Sequence, residues 1–398
     1  MSGWQKVELS DLVLFQRGFD ITKAQQQEGI VPIISSSGTA SYHNQAKCKA
    51  PGVITGRKGT LGKVFYSNRD YWPHDTTLWV KDFKNNSPKY SYYFLRLLKL
   101  ETYDVGASNP TLNRNHIHKL KINLPPLPIQ RKIAAVLSAY DDLLENNNRR
   151  IAILERMAEE LYREWFVRLR FPGHEKVKIV KGVPEGWEVR TVENAFKFFG
   201  GGTPSTATSR YWQNGQINWY SPTDLTAANT LFSFQSKIQI TELGLRESSA
   251  RLFPPYSVMM TSRATIGQLS INTTPACTNQ GFIACLPNER ISLFFLYYWL
   301  KLNKDYFIQL SNGATFLELT KGKFKNIKIV MPSTQIMRSF SDKQEPLFNA
   351  IENLLRQNVH LTTFRDRLLS RLMSGNIDVE NLDIQFPASM SEEVTAHA

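Results

Sequence analysis

The sequence predicts an α+β protein with two tandem mixed α/β domains, separated by two long helices packed as an antiparallel coiled coil, with pseudo-twofold symmetry between the halves. Three observations predict this class: an internal duplication, two helical segments with heptad spacing, and basic charge concentrated in two separate stretches. The expected boundaries are a first domain at 1–128, a first helix at 129–171, a second domain at 172–333, a second helix at 334–375 and an acidic, disordered tail at 376–398.

The duplication consists of short matches that recur in one order at a nearly constant offset. The loop 57–62 recurs at 262–267, which is 205 positions later, and the stretch 106–125 recurs at 313–332, which is 207 positions later. Ordered matches at one long period indicate that a single structural plan occurs twice. Residues 200–230 have no assigned counterpart in the first half.

Each half follows the same two-part plan. Short β-like runs come first and are separated by Gly, Pro, Asn and Ser; they lie at 30–34, 52–55, 78–80 and 257–260. An apolar strand that runs into Pro125 or Pro332 ends each half, and a long helix follows. The two halves are therefore expected to share one fold.

The two long helices carry apolar residues alternately three and four positions apart, which is typical of a coiled coil. About 36 helical residues in the first would form a rod of roughly 50 Å. In the second, Pro346 either starts the helix or kinks a longer one. Asn147 and Gln357 occupy equivalent seam positions, where they either fix the register or face solvent. The residues expected to pack between the helices are Leu144, Asn147, Ile151, Leu154, Leu161, Leu354, Gln357, Leu361 and Leu368.

The net charge of +13 is unevenly distributed. Residues 1–128 carry +8 and residues 171–346 carry +7, whereas the helix between them, 129–170, carries only +1. Two basic bodies on one chain indicate a polyanionic partner, although surface charge for solubility is an alternative. The three cysteines form no CxxC or His/Cys cluster, and no signal peptide or membrane-length apolar run is present, so we expect a reduced, cytoplasmic protein without a metal site.

Two unlike basic domains related by a pseudo-twofold axis suit two unlike half-sites on one DNA duplex. The duplicated plan resembles the specificity subunit of type I restriction–modification systems over about residues 3–375. The resemblance is carried by Gly200-Gly-Gly-Thr-Pro-Ser205, by Ser221-Pro-Thr-Asp224, and by Pro125-Pro126-Leu127 ahead of the first helix. The first domain lacks the glycine-rich opening, so it is expected to be of a different subtype.

The resemblance implies that each domain recognises one half of a bipartite, asymmetric double-stranded DNA site. It further implies that the helices set the gap and dock two methylation subunits, with restriction subunits added in the full complex. S-adenosylmethionine and ATP with Mg²⁺ would then belong to those other subunits. This chain itself is expected to have no catalytic site, cofactor or metal.

Candidate DNA contacts fall in three places. The basic loop of each half offers Arg57, Lys58 and Lys63, and Ser262 and Arg263, because arginine can pair with guanine and lysine with phosphate. A second group comprises Asn109, Thr111, Asn113 and Arg114, with Thr315 and Lys321 in the other half. A third group, Thr203, Ser205 and Tyr211, follows the glycine-rich opening. Ordinary turns are the alternative for the first two groups, and His74-Asp75, His116 and His118 are interpreted as structural.

Two other classes of protein stay open at this point. The stretch Phe253-Pro254-Pro255-Tyr256 is similar to a motif of amino-methyltransferases, which would suggest a self-contained methyltransferase or nuclease with its own reader. However, phenylalanine cannot accept a hydrogen bond from a target amino group. A coiled-coil DNA-binding scaffold is the second alternative.

Overall fold

The structure is a computed structural model that describes residues 3–104, 110–313 and 317–390. The chain forms two compact units. Unit 1 combines Met1–Asn146 with Asn358–Ala398, and unit 2 is Asn147–Gln357. Within the described ranges, no helix is long and apolar enough to cross a membrane.

Unit 1 begins with a mixed domain of nine strands and three short helices, followed by the start of a long helix. Its elements are β1 (Gln5–Glu8), α1 (Leu9–Leu12), β2 (Leu14–Arg17), β3 (Val31–Ser35), β4 (Gly38–His43), β5 (Gly52–Gly56), β6 (Val64–Ser67), β7 (Trp72–Pro73), β8 (Thr77–Asp82), α2 (Pro88–Leu97), α3 (Arg114–His118), β9 (Lys121–Leu124) and the long helix α4 (Leu127–Tyr162). They form a four-stranded sheet of order β2-β8-β5-β6, a three-stranded sheet β4-β3-β7 and the pair β1-β9.

Unit 2 repeats this arrangement with additions and ends within a second long helix, whose residues 358–373 belong to unit 1. Its elements are β10 (Ile179–Val180), β11 (Val183–Pro184), β12 (Glu188–Thr191), α5 (Val192–Ala195), β13 (Phe198–Gly200), β14 (Ile217–Tyr220), α6 (Pro222–Ala228), β15 (Phe232–Ser233), β16 (Ile238–Ile240), α7 (Glu242–Arg246), β17 (Val258–Thr261), β18 (Leu269–Asn272), β19 (Ala276–Thr278), β20 (Phe282–Cys285), α8 (Leu293–Leu302), α9 (Lys304–Leu310), α10 (Lys321–Phe324), β21 (Lys328–Met331) and α11 (Thr334–Met373). The main sheets are β13-β20-β17-β18-β15, β16-β14-β19 and β12-β21.

The duplicated strands pair in the same register in both units. In unit 1, Ile54 of β5 pairs with Trp79 of β8. In unit 2, Met259 of β17 pairs with Ala284 of β20, and both residues lie 205 positions after their counterparts. The mixed α/β class and the two-domain repeat that the sequence predicts are thus confirmed.

The same polar residue begins the equivalent helix in each unit. Ser87 precedes α2, and its side chain accepts a hydrogen bond from Tyr90 N. Ser292, 205 positions later, precedes α8 and accepts from Phe295 N in the same way. A serine in this position satisfies a backbone donor that has no partner within the helix. The repeat therefore preserves helix starts as well as strand register.

An insertion between β14 and β16 distinguishes unit 2 from unit 1. It contains α6 and β15, and β15 pairs in parallel with β18 to add a fifth strand to the main sheet. By strand pairing, Ile33 is equivalent to Trp219, 186 positions later, whereas Ser41 is equivalent to Ile238, 197 positions later. This change of offset explains why residues 200–230 could not be aligned from sequence.

The long helices differ slightly from their predicted bounds. α4 has 36 residues and begins at Leu127, before the predicted start of 129–171. It also ends earlier than predicted, because a π-helical turn, Arg163–Val167, replaces its continuation. Trp165 and Phe166 of this turn pack against Phe340, with ring centroids 5.8 and 4.8 Å away. α11 has 40 residues and contains Pro346 in its interior, so the alternative of a longer helix is the correct one.

The two long helices run antiparallel where they meet in unit 1. Arg365 of α11 lies 2.6 Å from the Asp141 carboxylate of α4. Nearer the start of α4, Lys132 donates to the carbonyl of Glu380, beyond the end of α11. Contacts nearer the N-terminus of α4 therefore involve residues nearer, or beyond, the C-terminus of α11, as in an antiparallel pair.

The same direction holds within unit 2. The Asn147 amide lies 3.5 Å from Gln357 Oε1, and Gln344 donates to the carbonyl of Ala158 at 2.7 Å. Of the predicted seam residues, Ile151 and Leu354 are buried, Leu154 and Leu161 pack against the unit 2 core, and Leu368 packs against the unit 1 core. Leu144 and Leu361 are half-buried. Asn147 and Gln357 thus face each other, although Gln357 keeps one exposed side.

The C-terminal segment differs from the sequence prediction. Disorder was expected over 376–398, but residues 376–390 are ordered and complete the core of unit 1, where Val379 and Met390 are buried. The acidic residues of this segment remain exposed, whereas Val379 and Met390 are buried and Ile377 and Ile384 pack against the same core. Its negative charge therefore does not prevent packing. Residues 391–398 lie outside the described part of the chain.

Candidate nucleic-acid interface

In unit 1, three backbone segments meet at the basic loop that follows β5. Arg57 N donates to Thr76 O at 2.8 Å, and Leu112 N donates to Arg57 O at 2.9 Å. These bonds hold the loop between the segment that precedes β8 and the segment that precedes α3. Two of the predicted groups of contact residues, around 57–63 and 111–114, are therefore neighbours.

Unit 2 makes the same two hydrogen bonds. Ser262 N donates to Gly281 O at 2.7 Å, and Leu319 N donates to Ser262 O at 2.9 Å. The residues of these bonds lie 205 and 207 positions after their counterparts, which are the offsets read from the sequence. The duplication thus extends to individual hydrogen bonds at the candidate interface.

A glycine approaches the loop before β8 or β20 in both units. A Cβ atom on Gly18 would lie 2.1 Å from the carbonyl oxygen of His74, and one on Gly201 would lie 1.9 Å from that of Asn279. Only glycine fits at such a distance. Gly201 of the glycine-rich opening therefore has a structural counterpart at Gly18, although the rest of that opening has no match in the sequence of the first domain.

Asp75 is the centre of a charged cluster in unit 1. Arg17 Nη2 lies 3.0 Å from its carboxylate and Arg57 Nη2 lies 3.9 Å away, while Arg57 Nε donates to its backbone carbonyl at 3.1 Å. The Arg57 side chain is only 14% exposed, and burial lowers the pKa of its guanidinium. Arg17, in contrast, is 57% exposed. Arg57 therefore contacts Asp75 from the buried side of the cluster, and Arg17 contacts it from the exposed side.

Asp20, His74 and Asp75 have the ligand types of a cation site. Their ligand atoms lie within 4.8 Å of one another. However, the guanidinium of Arg17 contacts Asp75 Oδ2, so the position beside this carboxylate already holds a positive charge. The donor set fits an ion-paired polar cluster better than a metal.

A wide basic cleft of about 1080 Å³ opens beside this cluster. Its lining includes Asp20, four cationic side chains and three aromatic rings, which are Arg17, Lys47, Lys81, Arg114, Phe15, Phe19 and Trp72. Lys47 Nζ lies 5.0 Å from the centre of the Trp72 ring. Cations interleaved with aromatic rings suit a phosphodiester chain.

His118 supports one wall of the cleft. Its Nε2 accepts a hydrogen bond from Phe15 N at 2.9 Å, so this nitrogen carries no proton. Burial, together with the nearby positive charge of Arg114, lowers the pKa of the His118 imidazole from its usual 6.5. The neutral ring is thus the form that fits this structure.

Unit 2 has a neutral cluster at the equivalent position. Thr203 Oγ1 donates to Gln280 Oε1 at 2.5 Å. Arg263 Nε lies 2.9 Å from Glu318, which leaves this exposed arginine paired with a carboxylate. A recess of about 280 Å³ lies beside the cluster and is lined by Thr223, Thr226, Arg263, Asn279, Gln280 and Gly281. The polar groups of this lining are mostly hydroxyls and amides, and Arg263 carries its formal charge.

The predicted contact residues occupy three kinds of position. Lys58, Lys63, Arg114, Ser205, Arg263 and Lys321 are exposed, and Thr111, Asn113, Thr203 and Tyr211 are half-buried. Ser262 is only 3% exposed, so its side chain is part of the scaffold. Tyr211 donates its hydroxyl proton to Glu247, and Asn113 begins α3. Asn109 and Thr315 lie outside the described residues.

Sequence reasoning missed the residues on which both clusters are centred. From the sequence, Asp75 is interpreted as a structural or surface residue, and Gln280 is not singled out. The offset of 205 does connect them, because each is the second residue before its strand, β8 or β20. Adding 205 to each residue number between the matched segments pairs Asp75 with Gln280, so the sequence does contain this signal.

Comparison with known proteins decides the family. A family model described as "Type I restriction modification DNA specificity domain" matches residues 1–156 and 184–361. The chain belongs to this family. Within it, the type I restriction enzyme MjaIX specificity subunit of Methanocaldococcus jannaschii is 32% identical over 196 residues, which cover 49% of this chain and 45% of that protein. The chain thus spans less than half the length of this relative.

Other members of the type I specificity family match over longer stretches. The HindI specificity subunit of Haemophilus influenzae is 24% identical over 357 residues, covering 72% of this chain and 77% of that protein. The crystal structure of the type I restriction–modification S subunit from M. genitalium aligns with a TM-score of 0.61 at 18% identity, covering 93% of this chain and 96% of that one. This structural likeness shows a shared fold.

Proposed function

We propose that this chain is the DNA-specificity subunit of a type I restriction–modification complex, and that each unit recognises one half of a bipartite, asymmetric DNA site. One observation supports the proposal: the same backbone hydrogen bonds recur in both units, but the polar clusters beside them differ. The cluster in unit 1 is centred on Asp75 with Arg17, and that in unit 2 on Gln280 with Thr203. Two units that share a backbone arrangement but expose different hydrogen-bonding groups suit two half-sites of different sequence.

The remaining parts of the complex would supply the chemistry. In this proposal the long helices set the gap between half-sites and dock two methylation subunits, which bring S-adenosylmethionine. Restriction subunits with ATP and Mg²⁺ join for cleavage. Family membership supports this division of labour.

The chain's own methyltransferase-like stretch supports a non-catalytic role. Phe253 is buried, and its backbone pairs with Ala276. The carbonyl of Pro254 accepts hydrogen bonds from Ser257 and Asn272. These contacts make the stretch a packed turn instead of a pocket for a flipped base.

The test compares the purified chain with its complex with the methylation subunits. Each is incubated with a random DNA library, bound sequences are read, and transfer of labelled methyl groups from S-adenosylmethionine is measured. We expect the complex to select two short, unlike half-sites at a fixed spacing and to methylate them. The chain alone should transfer no methyl group.

Two outcomes would replace this proposal by its alternatives. Methylation or strand cleavage by the purified chain alone would indicate an enzyme with its own reader. If the complex bound DNA without selecting any sequence and without methylating it, the coiled-coil DNA-binding scaffold would be the better description.

A further inference from the structure

Asp75 of unit 1 and Gln280 of unit 2 are equivalent residues of the internal repeat. In unit 1, His74 N donates to Ile34 O at 2.9 Å, which fixes the backbone before Asp75. The backbone after it is fixed by the hydrogen bond from Arg57 N to Thr76 O. Each neighbour of Asp75 is thus held to a different segment, and the position between them is rigid.

Unit 2 fixes Gln280 in the same way. Asn279 N donates to Tyr220 O at 3.0 Å, and Gly281 O accepts from Ser262 N at 2.7 Å. Each of these bonds is the counterpart of one in unit 1. The backbone therefore holds the Asp75 and Gln280 side chains at equivalent positions in the two units.

The chemistry at these points differs. Gln280 is exposed, and the hydrogen bond from Thr203 orients its amide. Its Nε2 can donate, and the second lone pair of Oε1 can accept. This donor–acceptor pair is the complement of adenine N7 and N6 in the major groove.

At the equivalent point of unit 1, the exposed group is a guanidinium. Asp75 holds Arg17 by a 3.0 Å ion pair, and Gly200 stands in unit 2 where Arg17 stands in unit 1. The N–H groups of Arg17 that do not face Asp75 can donate to guanine O6 and N7. Asp75 then acts as a positioning residue for Arg17.

We infer that Gln280 recognises an adenine in one half-site and that Arg17, held by Asp75, recognises a guanine in the other. This inference rests on the proposed function. It assigns base recognition to Gln280 itself in unit 2 and, in unit 1, to the arginine that the equivalent residue Asp75 holds, and it makes the exposed loop lysines phosphate contacts instead.

The experiment is a binding-site selection on the complex with the methylation subunits. It compares the natural chain with Gln280→Ala, Gln280→Glu and Arg17→Ala. Gln216→Ala and Arg69→Ala, which change exposed residues of the same types in the same units, serve as matched controls. Thermal unfolding of each variant, measured in parallel, separates loss of recognition from loss of structure.

We expect Gln280→Ala to lower the preference for adenine at one position of one half-site about tenfold or more. Gln280→Glu keeps an acceptor for Thr203 but loses the donor, so cytosine should replace adenine there. Arg17→Ala should remove a guanine preference in the opposite half-site. The control variants should select the natural sequence.

Unchanged sequences selected by folded Gln280 and Arg17 variants would overturn the inference, as would changes that fall in one and the same half-site. A natural complex that binds DNA with no sequence preference would instead contradict the proposed function itself. A Gln280→Ala variant that fails to fold still leaves Gln280→Glu, which is nearly the same size and keeps its bond to Thr203.

Discussion

The guanidinium of Arg365 lies 2.6 Å from the carboxylate of Asp141, and this ion pair joins the two long helices within unit 1. Arg365 is 11% exposed, and the other carboxylate oxygen of Asp141 accepts a hydrogen bond from the Tyr93 hydroxyl at 2.6 Å. The pair thus connects both helices to the packed face of α2. Removing one partner leaves the other charge partly buried without its counterion.

We therefore expect Arg365→Ala to lower the free energy of unfolding of unit 1 by about 2–4 kcal/mol. Urea unfolding followed by circular dichroism measures this change. Arg367→Ala, an exposed arginine of the same helix, is the control and should change stability by less than about 0.5 kcal/mol. Equal effects of the two substitutions would contradict a structural role for the pair.

The ordered C-terminal segment gives a second prediction. Met390 is fully buried in unit 1, whereas Leu382 of the same segment is half-exposed. Met390→Ala should destabilise unit 1 by about 2–5 kcal/mol, because it removes buried methylene groups and leaves a cavity. Leu382→Ala should cost much less. A Met390→Ala variant as stable as the natural chain would show that this segment does not contribute to the core.

His118 predicts a pH dependence of stability. Because its pKa is lowered in the folded state, the unfolded chain binds the proton more readily. The contribution of neutral His118 to the free energy of unfolding is therefore fully present above the unfolded pKa near 6.5. It is lost as the pH falls below that value. Chemical unfolding between pH 5 and 8 should show a smaller acid loss for His118→Gln than for the natural chain. His116→Gln, at an exposed position, should leave the profile unchanged.

Arg57 and Lys58 are adjacent in the basic loop but differ in burial, so their substitution should differ in effect. Arg57→Ala removes the brace of Asp75 and should relax recognition of one half-site only. Lys58→Ala should weaken binding to all sequences alike and lower the slope of log K against log salt by about one unit. Binding-site selection and salt titration of the complex measure both. Equal loss at both half-sites in Arg57→Ala would contradict its place in one unit.

The long helices predict the spacing of the target. Inserting one heptad beside Leu154 in α4 and a matching heptad beside Asn349 in α11 lengthens the pair by about 10 Å, or roughly three base pairs. The selected half-sites should keep their sequences while the gap between them grows. A heptad inserted in α4 alone breaks the match between the helices and is the control. An unchanged gap with both insertions would refute the role of the helices as spacers.

Much of this structure follows from the repeat that the sequence displays. The offset of 205 relates the strand pair Ile54–Trp79 to the pair Met259–Ala284, and it also relates the serines that begin α2 and α8. Apolar spacing alone predicted the long helices to within a few residues at most ends. These features depend on local pattern and on regular periodicity, which a single sequence carries.

Other features depend on contacts that local pattern does not encode. The partly buried Arg57 side chain donates to the backbone carbonyl of Asp75, which lies eighteen residues away in the sequence. The equivalence of Gly18 with Gly201 was hidden because the offset changes from 183 to 205 through several insertions. The order of the tail depends on Lys132, whose amino group binds the carbonyls of Glu380 and Leu382 from more than 240 positions earlier.

The division of unit 1 between the two ends of the chain has a consequence for biosynthesis. All of unit 2 lies between the parts of unit 1, so it is complete once residue 357 has left the ribosome. The first-made domain must wait for the last helix and for Val379 and Met390 before its core closes. A prematurely terminated polypeptide would therefore carry a complete unit 2 beside an incomplete unit 1, and the open core of the incomplete unit would be exposed to aggregation and proteolysis.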